Sequence, residues 1–219
     1  KALISKLDRF QASLDNTRNG LPHTMGILFY GEPGCGKTST VKALAKYTNR
    51  HIININLANI QSGEELRLAI SSTTINGRHI PHNQSIVLLE DVDGAQLSAK
   101  RDDSYIVEVG RPSLSQLLNH LDGVSETPGR IICMTTNRIS MLDPALIRPG
   151  RIDIKLEYGN YDQETLIEMF TYYFPEFNKK LITNACINKL INHPPAKLQE
   201  LVIKSLSLDE LVSNIKAGI

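Results

Sequence analysis

No stretch of this 219-residue sequence stays apolar for long enough to cross a bilayer. The longest apolar runs, around residues 27–30 and 86–89, fall far short of the ~20 residues that a spanning helix needs, and no secretory leader is visible. A membrane anchor is therefore expected only outside these residues. Cysteine is scarce: Cys35, Cys133 and Cys186 lie far apart with no C-x-x-C spacing. That argues against a zinc site or a disulfide framework and suits a reducing intracellular compartment. His23, His51, His79, His82, His120 and His193 are scattered, and none forms a metal-ligand spacing. An excess of charge is missing too. Lys and Arg total 24 against 23 for Asp and Glu, so no overall field draws nucleic acid or anionic membrane. No internal repeat is found. What remains is a chain with 41% hydrophobic residues, able to bury a proper core as one domain or one domain plus a small appendage.

The apolar pattern alternates between two periods. Leu3, Ile4, Leu7, Phe10 and Leu14 recur at helical spacing, predicting an amphipathic helix over residues 2–16 within a leading segment 1–20. Short apolar runs predict strands at 25–30, 51–56, 85–90, 130–135 and 152–156. Helical patterns fit between them at 38–47, 63–71 and 113–121. Strands alternating with helices imply an α/β fold whose parallel five-stranded sheet is covered on both faces, here over residues 21–157. Residues 100–112 are polar and aperiodic and read as an exposed loop. After Tyr158 the pattern is helical throughout, at 162–173, 183–192, 196–206 and 208–216. This predicts a small all-helical lid over 158–219.

The chemistry-bearing residues follow this frame. Gly31-Glu32-Pro33-Gly34-Cys35-Gly36-Lys37-Thr38 fits G-x-x-x-x-G-K-[ST], with a strand before it and the helix from Thr38 after it, and together with Ser39 it is the expected cofactor-binding stretch. Its backbone N–H groups can cradle a polyphosphate at the positive end of the helix dipole. Lys37 can reach the β- and γ-phosphates, and the Thr38 hydroxyl can ligate Mg²⁺. The apolar strand that ends Leu88-Leu89-Glu90-Asp91-Val92-Asp93 brings acids to the carboxyl end of a parallel sheet, where such sheets bind ligands. The order of the acids is reversed relative to most nucleotidases. In the favoured register Glu90 holds Mg²⁺ and Asp91 polarises the attacking water. In the other, Asp91 takes the metal and Asp93 the water. The next apolar strand ends in Asn137, placed to hydrogen-bond a γ-phosphate or the water. Arg148 and Arg151, three apart around Pro149 and Gly150, present guanidinium groups able to act in trans.

These elements, in this order from Gly31 to Asp153, resemble the AAA family of ring ATPases, whose arginine-finger region is similar to Leu142-Asp143-Pro144-Ala145-Leu146-Ile147-Arg148-Pro149-Gly150-Arg151-Ile152-Asp153. The resemblance implies ATP and Mg²⁺ as cofactors and a homo-oligomeric ring, commonly of six or seven subunits. ATP would lie at the interface, with Arg148, and secondarily Arg151, reaching the neighbour's γ-phosphate. The segments at 88–93, 117–124 and 134–137 look like one branch: the mitochondrial inner-membrane AAA chaperone that exports the folded Rieske iron–sulphur protein. The reversed Glu90-Asp91 order fits that branch, and Tyr172-Tyr173-Phe174-Pro175 and the stretch 194–199 extend the likeness into the lid. It does not reach the branch's transmembrane helix or its middle domain, so substrate and membrane location do not carry over with it.

Two absences bear on mode of action. Peptide-threading rings grip the chain with an aromatic–apolar–glycine loop after the second strand. Here that region reads Leu57-Ala58-Asn59-Ile60-Gln61-Ser62-Gly63, without an aromatic. The lid sensor arginine of other branches is missing around 194–198, where Lys197 is a weak substitute. The expected function is an ATP-hydrolysing ring motor or chaperone that remodels or moves a protein partner. The alternatives are a nucleic-acid-associated loader, disfavoured by the balanced charge, and a slow-turnover nucleotide-dependent scaffold, kept open by the short side chain of Asp91.

Overall fold

The computed structural model describes residues 2–13, 24–72, 74–75, 77–93, 117, 128–148 and 150–217. The helix expected at 113–121 and the loop at 100–112 lie outside the described residues, apart from the buried Leu117. The chain divides into two compact units, Lys1–Tyr30 with Thr38–Glu157, and Gly31–Lys37 with Tyr158–Ile219.

The first unit is organised by strands β1 (Thr24–Gly31), β2 (His51–Ile55), β5 (Ser85–Leu89), β6 (Arg130–Thr136) and β7 (Ile154–Tyr158), in the spatial order β2-β5-β6-β1-β7. β5 and β6 are buried at every position, as expected of strands covered on both faces, which read as unbroken apolar runs. Their parallel register sets Leu89 beside Met134, and β2 sets Ile55 beside Leu89. Acids and amides that follow these strands are thereby delivered to one edge of the sheet. Among the described residues three helices accompany the strands: α1 (Ala2–Ser13), α2 (Lys37–Thr48) and α3 (Gly63–Ser71). In α1, Leu7 and Phe10 are buried while Ile4 is exposed. α3 starts where the Ser62 hydroxyl accepts from the Glu65 N–H, with Glu64 and Glu65 facing the positive end of its dipole. Leu66 and Ile70, one turn apart on α3, join Leu28, Val87, Leu89, Ile132 and Met134 in one aliphatic core. Each such fully buried side chain contributes about 1.5–3 kcal/mol relative to exposure.

Two differences from expectation are informative. A two-residue hairpin, β3 (Thr74–Ile75) with β4 (Arg78–His79), stands between α3 and β5. Its strands are too short to show alternation, so periodicity could not mark it. The last strand begins at Ile154 rather than 152, because Asp153 is occupied by a contact to β1 described below.

The second unit is helical after its loop: α4 (Gln163–Tyr173), α5 (Asn184–Leu190), α6 (Pro195–Lys204) and α7 (Leu208–Ala217). Asp162 and Thr183 cap α4 and α5 by accepting from the N–H three residues on, at 2.7 and 3.3 Å. Pro195 opens α6, where its missing N–H costs nothing. Phe170 and Phe177 pack with tilted rings 5.2 Å apart inside a core that includes Leu166, Ile187, Leu198 and Leu211.

Candidate functional site

In the second unit, the loop following β1 is built from its own main chain. Gly34 and Gly36 take left-handed φ angles of 78° and 94°. Gly31, at φ 134°, has a further constraint: a Cβ there would stand 1.8 Å from the Tyr158 carbonyl oxygen. Its identity is required by close backbone approach as well as by the turn. The Lys37 ammonium donates to the Gly31 and Glu32 carbonyls at 2.7 and 2.9 Å, and the residue is buried. The Gly34 carbonyl accepts from the Ala196 N–H at 3.0 Å, which ties the loop to the first turn of α6. Glu32, Pro33 and Gly34 are exposed. Cys35 is buried, and burial pushes its thiol up in pKa against the pull of Lys37, so it is a poor nucleophile. Cys133 is pushed up to about 12 by burial alone. Both behave as the small apolar residues expected from their spacing.

In the first unit, Thr38 and Ser39 lie in the opening turn of α2, with Ser39 exposed. The Thr38 hydroxyl donates to Glu90 Oε1 at 2.8 Å, while Glu90 Oε2 accepts from the Asn54 amide at 2.8 Å. One carboxylate is thus held on both sides. Asp91, just past β5, adopts φ 47°, and its N–H donates to the Thr135 hydroxyl at 3.1 Å. Its Oδ1 accepts from the Asn137 amide at 3.2 Å, and the residue is exposed. Asp93 is used differently. Its Oδ1 accepts from the Thr136 hydroxyl at 2.8 Å and from the Asn137 N–H at 3.2 Å. It braces the turn that presents Asn137.

Thr38, Glu90, Asp91 and Asn137 are therefore brought together in the first unit. The donors around Glu90 are hard oxygens, which suit Mg²⁺. No cluster of three or more His, Cys, Asp or Glu able to hold a metal is found among the described residues. An ion here would draw its other ligands from water and phosphate, as Mg²⁺ commonly does.

The arginine segment is clamped to β1. Gly26 N–H donates to Asp153 Oδ2 at 2.8 Å, and Asp153 N–H returns a bond to the Gly26 carbonyl at 2.9 Å. A Cβ at Gly26 would sit 1.8 Å from the Arg151 carbonyl oxygen. The two arginines differ: Arg151 donates through Nη1 to the Ala145 carbonyl within its own turn, whereas Arg148 is exposed. Pro149 lies outside the described residues.

Asn54, Thr135, Thr136, Gly26 and Asp153 were not singled out by the sequence. Each acts on a residue 36 or more positions away, except where Thr136 also caps Arg138. In the region of the threading loop, Leu57–Asn59 form a short 3₁₀ turn capped by Asn56, with Leu57 buried and Ala58 and Asn59 exposed. No described helix is long and apolar enough to cross a membrane.

The sequence is similar to known proteins. The chain is 42% identical over 160 residues to the mitochondrial chaperone BCS1 of Bos taurus, covering 71% of this chain and 36% of that protein. It is 39% identical over 197 residues to the probable mitochondrial chaperone bcs1 of Schizosaccharomyces pombe, covering 86% and 40%. It is also 37% identical over 164 residues to the 26S proteasome regulatory subunit 8 homolog of that yeast, covering 73% and 40%. The chain thus spans about two fifths of the length of these curated relatives. Residues 27–160, which hold β1, the loop, the acids, Asn137 and both arginines, match the ATPase family associated with various cellular activities, and the chain belongs to that family, AAA.

Proposed function

We propose that this chain is the motor part of a chaperone that hydrolyses ATP with Mg²⁺ to move or remodel a protein partner, working as a ring with its active sites shared between subunits. The observation that carries the reading is the Thr38–Glu90 bond of 2.8 Å, flanked by Asp91 and Asn137. A hydroxyl and a carboxylate that converge on one point are the protein's half of a Mg²⁺ shell. When bound, Mg²⁺ would neutralise charge that develops on the transferred phosphoryl group.

The chain's own groups then have distinct tasks. Lys37 exchanges two carbonyl partners for phosphate oxygens, a stronger charge-assisted pairing. Lys37 would hold phosphate oxygens, and Thr38 with Glu90 would hold the ion. Asn54 fixes the Glu90 carboxylate from the far side. Asp91 takes a proton from the attacking water, and Asn137 holds both the acid and that water in line. The double use of Asp93 by Thr136 and Asn137 supports the register with Glu90 at the metal and Asp91 at the water.

Arg148 holds its turn only through its main chain, its carbonyl accepting from the Arg151 and Ile152 N–H groups at 3.2 Å, and the residue is exposed, which supports action of its side chain on a neighbouring subunit. Arg151 then acts by holding the turn that displays it. The exposed Ala58 and Asn59, in place of an aromatic grip, favour a partner moved as a folded body over one threaded as a chain. The names of the mitochondrial relatives support a mitochondrial location.

Subunit mixing tests the shared site. Lys37→Ala and Arg148→Ala chains should each be nearly inactive, since an arginine supplied in trans is worth about 10³–10⁵ in rate. Mixing them should restore part of the turnover, because some interfaces pair an intact loop with an intact arginine. If the mixture stays as inactive as its parts while both assemble, the shared-site reading is wrong.

A further inference from the structure

A second cationic site lies at the opposite edge of the sheet from the acids. α2 ends with Asn49 at φ 53°, while the Arg50 N–H donates back to the Ala45 carbonyl at 2.8 Å. This ending turns the Arg50 side chain beneath the amino ends of β5 and β6, where it is only 7% exposed. Its Nη1 donates to the carbonyls of Ser85 and Gly129 at 3.3 and 2.5 Å, and to that of His82 at 3.4 Å. Its buried Nε has no hydrogen-bond partner among the described residues. Among the described residues no carboxylate pairs with Arg50, and burial alone acts on its ionisation, in the downward direction.

A buried guanidinium with neutral partners only is costly, because its charge has left water without a counter-charge. Arg50 also lines a cavity of about 550 Å³, with Ala45, Lys46, Asn49, His51 and Gln84 as the other walls. That volume falls in the range of small-molecule sites. Lys46, Asn49, His51 and Gln84 are exposed at its walls, and none of them is an acid. The surroundings are positive as well. His82 is held below its usual range, mainly by burial and further by Arg130 and His79.

We propose that this cavity binds a soluble, phosphate-bearing anion, with Arg50 as its buried cation and Lys46 and His51 as its outer donors. A planar guanidinium suits an oxyanion. The site is distinct from the nucleotide loop, since β5 carries its acids at the other end.

Calorimetric titration of inorganic pyrophosphate into the chain carrying Lys37→Ala, which disables the nucleotide loop, tests this. Saturable binding that weakens as salt rises is expected, and Arg50→Met should abolish it. Arg50 also holds the Ser85 and Gly129 carbonyls, so unfolding of that variant would mimic the loss and a second variant is needed. The double change Lys46→Ala with His51→Ala touches exposed side chains only. It should leave the melting temperature without ligand unchanged and weaken binding by about tenfold, as loss of charge-assisted bonds does. No saturable binding, or equal binding by the Lys46/His51 variant, overturns the proposal. So does binding confined to phosphatidic acid vesicles or to DNA, with none to pyrophosphate.

Discussion

The loop at residues 31–37 and the acid cluster at the strand ends are built on opposite principles. The loop is held by main-chain geometry: left-handed glycines, two carbonyls that take the Lys37 ammonium, and a backbone bond to Ala196. The acids are held by side chains borrowed from other strands, namely Asn54 from β2 and Thr135 and Thr136 from β6. A main-chain scaffold tolerates few substitutions at its glycines but does not depend on which side chains surround it. A side-chain scaffold can be tuned one partner at a time, so the metal binding and water activation proposed for the acids would be adjustable while the loop stays constant.

Three substitutions sharpen this contrast, beginning with the largest effect. Lys37→Ala removes the one side chain that the loop itself contributes to phosphate, and nucleotide affinity should fall by about a hundredfold or more, measured with a fluorescent ATP analogue. The fold should survive, because the loop's shape is in its backbone. Asp91→Asn comes next. Turnover should fall by about 10²–10⁴-fold, as for loss of a general base, while ATP affinity changes little. An equal loss of affinity would place Asp91 on the metal instead. Asn54→Ala is the mildest: it frees one oxygen of Glu90 and removes a bond to a charged group worth about 1.5–3 kcal/mol at most. The Mg²⁺ concentration for half-maximal turnover should rise about threefold to tenfold. If it did not move, the side-chain scaffold around Glu90 would be incidental.

Residues that carry chemistry were legible because the motif packs them close along the chain. Gly31 to Thr38 is one stretch, Glu90 and Asp91 end one apolar strand, and Asn137 ends the next. The residues that hold them were not, because their partners meet only through strand register. Leu89 lies beside Met134 and Ile55, so Thr135, just past Met134, and Asn54, just before Ile55, come within reach of Asp91 and Glu90. Neither the 5-residue β2 nor its exposed Asn54 gives any local sign of that. The clamp of Gly26 to Asp153 spans 127 positions and was hidden for the same reason. It also delayed β7 by two residues, since a side chain used as a clamp interrupts the apolar run. The hairpin at 74–79 had a sequence sign, the dipeptide Asn76-Gly77, but its strands were too short for the pattern to confirm it.

Asp91 sits at φ 47°, a conformation in which glycine would rest more easily than any acid. A search for hardier variants of this protein, scored on heat resistance alone, would therefore reward Asp91→Gly. On the proposed role of Asp91, the survivors would fold well and turn over far more slowly. Sturdiness and work would then draw on the same residue, and the melting temperature of a variant at this position would be a misleading guide to its fitness.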